Sequence, residues 1–185
     1  ISCHDLFTNE MADCIVQMHC IAGCDANSGF YCKGKKSVFG RVEKSSVAQR
    51  QLARCGDSLD LQEEVLEDML QFIRHVIYGN KKSSTRAEAR SAKLRMLKYK
   101  MFSLLPPDAD SLRQHCIRAN YLAYLVHHPS VKQHPSPLGH GWELVNGRCR
   151  PVPHTKPALP PHHVPTLGSA EQSESDDSDD EQDDA

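Results

Sequence analysis

The stretch DLQEEVLEDMLQFIRHVIYG, residues 60–79, decides the fold class because its apolar residues recur at helical spacing. One face of the resulting helix would carry Leu61, Val65, Met69, Phe72 and Val76. Asp60 and Glu63 have the spacing of a capping box at the start of this helix, and Gly79 stands where it should end. The stretch therefore predicts an amphipathic helix in a mainly α-helical protein.

Four further helices are predicted around this stretch from the same kind of periodicity. They are expected at residues 10–22, from about residue 35, at residues 84–105, and from residue 108 or 110 to about 127. Thr8 or Asn9 can cap the first helix, and Gly23 stands where a left-handed C-terminal cap is expected. The buried side of the last helix is predicted to include Val126.

A small β-hairpin is predicted after the last helix. Trp142-Glu-Leu-Val and Arg-Cys-Arg-Pro-Val152 read as two short strands, separated by Asn146-Gly147. Asn-Gly suits a type I′ turn, in which both central residues have positive φ. The predicted architecture is therefore about five helices followed by a small carboxy-terminal β-hairpin and, over residues 151–185, a disordered Pro/His-rich and acidic tail.

Charge is distributed unevenly along the chain. Residues 171–184 contain nine of the 24 acids and no Lys or Arg, so the remainder has 15 acids against 22 bases, a net charge of +7. A basic body suggests DNA or RNA as a partner, and the acidic tail would compete as a mimic of a phosphate backbone. The alternative is that both charge runs only keep the protein in solution.

Ser173 and Ser178 are predicted phosphorylation sites in this tail. Each has an acid three residues further on, Asp176 and Glu181, as acidophilic kinases favour. Each phosphate would add a charge of about −1.5 to −2 and strengthen the polyanion.

The distribution of cysteines and of apolar residues indicates the cellular environment of the protein. Five of the eight cysteines lie in the first 32 residues, a distribution that favours free thiols in a reducing compartment over a disulfide framework. No apolar run approaches the roughly 20 residues needed to span a bilayer, so no membrane partner is expected.

We expect an intracellular, nuclear location. Because the chain starts at Ile1, we expect it to be the carboxy-terminal part of a longer protein.

A cluster of thiols and an imidazole near the amino terminus is a candidate zinc site. His19, Cys20, Cys24 and Cys32 are spaced as Cys-x3-Cys-x7-Cys, which differs from the paired Cys-x2-Cys of most structural zinc sites. Free thiols are therefore favoured, with a zinc-stabilised module as the alternative.

The candidate functional site combines Asp25 with the segment Gly34-Lys35-Lys36 and the nearby Arg41. A carboxylate suits a hard Mg²⁺-type ion, and lysines at a helix start suit a phosphodiester. One carboxylate does not complete a metal site, so a simple turn at Asp25 is the alternative. No nucleotide loop, nucleophile elbow or paired-carboxylate signature is present, and no complete active site is predicted.

An ordered series of motifs resembles a family of uncharacterised, transposon-associated animal proteins. The motifs are Ile21-Ala-Gly-Cys-Asp25, Gly34-Lys-Lys36, Leu105-Pro-Pro-Asp108, Leu112-Arg-Gln-His115, Arg118-Ala-Asn-Tyr121, Pro135-Ser-Pro137 and Gly139-His-Gly-Trp142. The resemblance covers about residues 15–160. That family is distantly similar to the flap-endonuclease and Asteroid-type branch of the PIN-like nucleases. The similarity implies a metal-binding role for Asp25 and a phosphate-gripping role, within a helix-turn-helix, for Gly34, Lys35 and Lys36.

The resemblance also implies how the chain is organised. Residues 1–55 would be the carboxy-terminal remnant of a nuclease-like domain, residues 56–150 a helical module ending in the hairpin, and residues 151–185 the tail. The other carboxylates would lie before Ile1, so Mg²⁺ and nuclease activity are expected only in the longer parent. We expect an inactive, nucleic-acid-associated module. The alternative is a protein–protein interaction module that docks through the last helix and hairpin, at Tyr121 or Trp142.

Overall fold

The protein is mainly α-helical, as predicted, in a computed structural model that describes residues 8–79, 107–130 and 133–155. The helices are α1 (Asn9–Ala12), α2 (Ile15–Ala22), α3 (Lys35–Val42), α4 (Ser46–Ala53), α5 (Glu63–Phe72), a π-helical turn (Ile73–Ile77) and α6 (Ala109–His127). Strands β1 (Trp142–Val145) and β2 (Arg148–Pro151) form the predicted antiparallel hairpin. The helix predicted at residues 84–105 lies outside the described residues.

The first predicted helix is divided into α1 and α2. The predicted cap forms, because the Thr8 hydroxyl oxygen accepts a hydrogen bond from the Met11 amide at 3.4 Å. Gly23 ends α2 with φ 109° and ψ 136°, a positive φ but not the left-handed helical geometry that was predicted. A Cβ at this position would lie 2.5 Å from the Cα of Gly29, so the close approach of two loop segments requires glycine here.

The basic helix predicted from residue 35 is followed by a second helix that sequence periodicity did not separate. Helix α3 ends at Val42, three residues form a turn, and α4 begins at Ser46. The Ser45 hydroxyl caps α4 by accepting a hydrogen bond from the Ala48 amide at 3.2 Å. We call α3, the turn at residues 43–45 and α4 the basic helix-turn-helix.

Helix α5 starts later than predicted, and the prediction of a capping box between Asp60 and Glu63 was wrong. Gln62 precedes the first helical residue and makes no side-chain cap. The reason is tertiary, since the Asn120 amide on α6 donates to the Ser58 and Leu59 carbonyls at 2.9 and 3.1 Å. This contact keeps the chain before α5 in a loop.

Helix α6 begins as predicted and ends in an exposed turn. The Asp108 carboxylate accepts hydrogen bonds from the amides of Asp110 and Ser111, each at 3.0 Å, and so caps the helix. Val126 is 55% exposed, so the prediction that it is buried was wrong. Within the described ranges no helix is both long and apolar enough to cross a membrane.

The apolar core is one cluster that draws on residues from Met11 to Ala123. It takes side chains from both sides of residue 55, so the packing does not separate the chain at that position. The largest fully buried apolar side chains include Ile21, Leu52, Met69, Phe72, Ile73 and Ile77. Helix α6 packs against both α2 and α5, and thereby joins the amino-terminal helices to the rest of the core.

Ordered contacts continue beyond residue 150, where the tail was predicted to begin. Asn146 and Gly147 have φ of 51° and 72°, which confirms the predicted turn. After the hairpin, the amide and hydroxyl of Thr155 both donate to the carboxylate of Asp110 at the start of α6. We call residues 133–155 the strap, because they are fastened to α6 at several points.

The close approach of Gly56 to α6 gives a test of this packing. A Cβ at Gly56 would lie 2.7 Å from the Cβ of Ala123, and φ at Gly56 is 89°. At Gly79, φ is 66° but a Cβ would meet no atom of the described residues within 4 Å. Both alanine variants should carry the strain of positive φ, whereas only Gly56→Ala adds a steric clash, expected to cost about 1–3 kcal/mol more.

Urea denaturation of the two variants measures this difference in the free energy of unfolding. Equal destabilisation by Gly56→Ala and Gly79→Ala would contradict the close packing of the loop on α6.

Candidate nucleic-acid interface

Asp25 lies at the apex of a tight turn. The backbones of Cys24 and Asn27 exchange hydrogen bonds of 2.8 and 3.2 Å, which leaves Asp25 and Ala26 between them, both exposed. No group of three or more His, Cys, Asp or Glu residues in the described part of the chain could hold a metal ion. The structure therefore gives Asp25 a place in a turn, and its metal-binding role stays a prediction for a longer parent.

Asn27, directly after this turn, fastens the loop to the helices. Its side chain is only 2% exposed, and its amide nitrogen donates to the carbonyls of Cys20 and His115 at 3.1 and 3.3 Å. Its amide oxygen accepts a hydrogen bond from the Arg118 Nε at 3.1 Å. One buried side chain thus links the end of α2 to the middle of α6.

Arg118 is a buried cation on α6 that holds the strap. Its Nη1 donates to the carbonyls of Val152 and Gly141, at 2.6 and 3.4 Å. Burial lowers the pKa of the Arg118 guanidinium, and the oxygens that accept its N–H groups belong to neutral amides. A Cβ at Gly141 would lie 2.5 Å from the Arg118 Cγ, so glycine is needed for the strap to approach this side chain.

His115 is buried beside Arg118 in its neutral form. Its Nε2 lies 2.8 Å from the Ile21 carbonyl, which can only accept, so Nε2 carries the proton and donates. Burial lowers the pKa of His115 to about 4, and the positive charge of Arg118 acts in the same direction. His115 therefore joins α6 to the end of α2 as a fixed donor.

These buried polar residues are the functional side chains that sequence reasoning missed. Asn27, His115, Arg118 and Asn120 belong to or adjoin the motifs that carry the family resemblance, but no role was assigned to them. A signal was present, since His115 and Arg118 follow Leu112 at spacings of three residues along the predicted buried side of the helix. A polar residue at such a position needs a buried partner, which the sequence alone does not name.

The predicted phosphate-binding residues lie at the start of α3. Gly34 precedes the helix with φ −72°, a conformation open to any residue, and Lys35 and Lys36 are its first two residues. Both lysines are exposed. The Lys35 Nζ lies 3.3 Å from the Nδ1 of His19. The structure therefore places Gly34, Lys35 and Lys36 together on the surface, in positions open to a ligand.

Arg41 makes a structural contact within the protein, and its predicted phosphate contact stays a prediction. Its guanidinium donates to the carbonyls of Val76 and Ile77, at the end of the π-helical turn. Among the described residues no backbone amide is bonded to these carbonyls, so Arg41 completes the end of that element while part of its side chain stays exposed.

Three further bases of the same region are exposed and unpaired. Lys36, Lys44 and Arg50 make no hydrogen bond or ion pair with the described residues. Residues 33–54 contain seven bases and one acid: Lys33, Lys35, Lys36, Arg41, Lys44, Arg50 and Arg54 against Glu43. Of these seven bases only Arg54 forms an ion pair with an acid among the described residues, so the basic helix-turn-helix has a local excess of positive charge.

The cysteines of the predicted thiol cluster are not grouped as metal ligands. Burial raises the pKa of Cys20 to about 12, so this thiol stays protonated. Cys24 is half-buried and Cys32 is exposed on the following loop. None of the groups in the described ranges forms a metal-holding set of three, as noted for Asp25.

The residues proposed for protein docking are used inside the molecule. The Tyr121 ring stacks on His140 with centroids 5.5 Å apart and meets the edge of Trp142 at 5.2 Å. The Tyr121 hydroxyl donates to the Pro135 carbonyl at 2.8 Å. These contacts fasten the strap to α6, so substitution of Tyr121 would disturb the fold as well as the binding of any partner.

Ser173 and Ser178, the predicted phosphorylation sites, lie outside the described residues.

The buried imidazole of His115 predicts a specific loss of stability in acid. Folded His115 stays neutral down to about pH 4, whereas in the unfolded chain it binds a proton near pH 6.5. The unfolded state then binds more protons, so the free energy of unfolding falls as the pH decreases from about 6.5 to 4, by about 3 kcal/mol for this group.

His115→Gln keeps an N–H donor for the Ile21 carbonyl but cannot titrate. Urea denaturation at pH 7 and pH 4 should show a smaller acid-induced loss in His115→Gln than in the parent protein, by about 3 kcal/mol. An identical loss in both proteins would show that His115 is not held neutral.

Comparisons with known proteins identify no relative of this chain. No protein-family model, curated protein or solved structure gives a significant match. The comparisons therefore suggest no function for the chain.

Proposed function

We propose that the basic helix-turn-helix binds the phosphate backbone of DNA or RNA. The observation that carries the proposal is the set of exposed bases Lys36, Lys44 and Arg50, which have no partner among the described residues and lie within a segment of seven bases and one acid. Lysine and arginine that neutralise phosphates release the condensed counterions, which makes such binding strong at low salt and independent of sequence.

The ion pairs among the described residues lie outside α3 and α4, so the excess positive charge stays on these two helices. Arg113 forms a two-fold hydrogen-bonded pair with Glu63, with both N–O distances 2.9 Å. Arg54 lies 3.3 Å from Glu64. Residues 57–68 contain six acids and no base. A polyanion would therefore be attracted to α3 and α4 and repelled from the start of α5.

The basic helix-turn-helix is also held in a defined shape. Val38, Val42, Ala48 and Leu52 are buried between it and the core. The Gln49 amide donates to the Val42 carbonyl at 3.0 Å and so joins the end of α3 to α4. Exposed cations on a rigid element lose little conformational freedom in the backbone on binding, which supports a surface for phosphate contacts.

In this proposal the chain is a nucleic-acid-associated module of a mobile-element-derived, nuclease-like parent that acts in the nucleus. The support is the resemblance to transposon-associated proteins, in which Asp25 would join carboxylates supplied by the parent and hold Mg²⁺. The chain itself would bind nucleic acid and not cleave it.

Charge reversal on the basic helix-turn-helix should weaken binding to DNA or RNA. For the full chain, log affinity is expected to fall linearly with log salt concentration, by about 0.9 per phosphate contact on duplex DNA. Lys36→Glu with Lys44→Glu should lower affinity at least about tenfold at low salt and make the slope less steep, by up to two such contacts. Fluorescence anisotropy with a labelled oligonucleotide measures both quantities.

Arg148→Glu with Arg150→Glu, on the exposed hairpin, is the matched control because it changes the net charge equally. If the unsubstituted chain does not bind the oligonucleotide at low salt, the proposal is refuted. Equal weakening by both double variants would show that net charge acts without a defined surface.

The acidic tail should compete for the same surface. The backbone between Thr155 and Glu171 can span up to about 55 Å, more than a domain of this size requires to bring residues 171–184 to α3. Replacing the nine acids by Asn and Gln should raise affinity for nucleic acid several-fold, and phosphorylation at Ser173 and Ser178 should lower it. Anisotropy titrations of the three forms test this, and equal affinities would exclude competition.

A further inference from the structure

Tyr31 is an exposed aromatic side chain at the apex of a turn beside the basic helix-turn-helix. The turn is closed by a hydrogen bond from the Lys33 amide to the Phe30 carbonyl at 3.0 Å, and Cys32 has φ 54°. Tyr31 is 56% exposed, and no other aromatic side chain among the described residues is comparably exposed. A single exposed ring is ordinary at a protein surface, so the inference depends on its position in a fixed turn that leads into the lysines of α3.

Both ends of this turn are anchored. Phe30 is buried, with its ring 4.8 Å from the ring of His115 and 5.7 Å, edge-on, from that of Tyr78. The Lys33 Nζ lies 5.7 Å from the centre of the Tyr78 ring, on the other side of the turn. Tyr31 is therefore presented by a fixed piece of backbone.

The charges that follow Tyr31 suit a nucleotide. Lys35 and Lys36 lie four and five residues further along the chain, both exposed, and Lys36 has no partner among the described residues. An aromatic face next to lysines is how proteins hold single strands, because bases stack on the ring while cations contact the phosphates. In a duplex the base faces are stacked on one another, so a protein ring reaches them only where the strand is unpaired.

We propose that Tyr31 is a stacking platform for an unpaired base of single-stranded DNA or RNA, with the neighbouring phosphate at Lys35 and Lys36. This inference rests on the proposed function and specifies the form of nucleic acid that the surface prefers. Duplex binding would use the lysines and arginines alone, whereas single-strand binding would use Tyr31 in addition.

Substitution of Tyr31 tests the platform in the full chain. A labelled single-stranded oligonucleotide and the corresponding duplex serve as probes in anisotropy titrations at one moderate salt concentration. Tyr31→Ala should weaken single-strand binding about fivefold or more, the usual effect of losing one stacked base, and leave duplex binding unchanged. Tyr31→Phe, which keeps the flat ring, should bind like the parent chain.

Two controls separate stacking from a general apolar contact. Tyr31→Leu keeps apolar area but lacks a flat face, so it should weaken single-strand binding as Tyr31→Ala does. Leu144→Ala removes another exposed apolar side chain, 62% exposed on β1 and outside the basic helix-turn-helix, and should have no effect. Because Tyr31 is exposed, these variants should keep the parent's circular dichroism spectrum and unfolding midpoint.

The outcomes distinguish this inference from the proposed function. Unchanged single-strand affinity in Tyr31→Ala, while Lys36→Glu with Lys44→Glu still weakens binding, would overturn the stacking platform alone. Equal losses for single strand and duplex in Tyr31→Ala would also overturn it. If the unsubstituted chain binds neither the single strand nor the duplex, both the stacking platform and the proposed function are overturned.

Discussion

The guanidinium of Arg118 is the contact on which the arrangement of this molecule depends. From the middle of α6 it donates to the Asn27 side chain and to the carbonyls of Gly141 and Val152. It therefore joins the loop after α2, the helix and both sides of the hairpin. A buried charge is costly to leave unsatisfied, so this position restricts what can stand around it. Neutral amide oxygens satisfy the cation here.

The buried polar side chains of Asn27 and His115 hold the loop that carries the exposed turn at Tyr31, but they are not themselves part of the exposed surface. Asn27 and His115 fix the loop after α2, and the same loop carries Phe30 and the turn at Tyr31. The motif with the most catalytic appearance, Gly-Cys-Asp at residues 23–25, is thus part of a turn. The residues available to a ligand are instead exposed bases on α3 and α4, whose supporting contacts lie below them. Buried side chains of this loop and of the helices stabilise the fold, and exposed side chains of the same segments are the ones proposed to bind nucleic acid.

Secondary structure was predicted correctly from the sequence where it depends on neighbouring residues. It was predicted wrongly where a residue distant in sequence forms hydrogen bonds with the backbone. The periodicity of residues 60–79 identified α5, and Asn146-Gly147 identified the hairpin turn. The capping box at Asp60 failed because Asn120, 60 residues away, holds the preceding carbonyls in a loop. Helix α4 was not separated from α3 because its start depends on a three-residue turn and on the Ser45 cap. For the site, exposed Lys35 and Lys36 could be found by charge, whereas nothing local indicated the contact of Arg41 with the π-helical turn.

The sequence by itself determined the helical class, the hairpin and the separation of basic from acidic segments. Each of these depends on spacing or composition within a few turns of chain, which sequence records directly. Only the tertiary structure decided that Arg118 and His115 are buried supports, that Asp25 lies in a turn, and that Tyr31 is left exposed. These roles arise from contacts between residues about 90 positions apart, such as Asn27 with Arg118, and burial at that range is set by packing of the whole core.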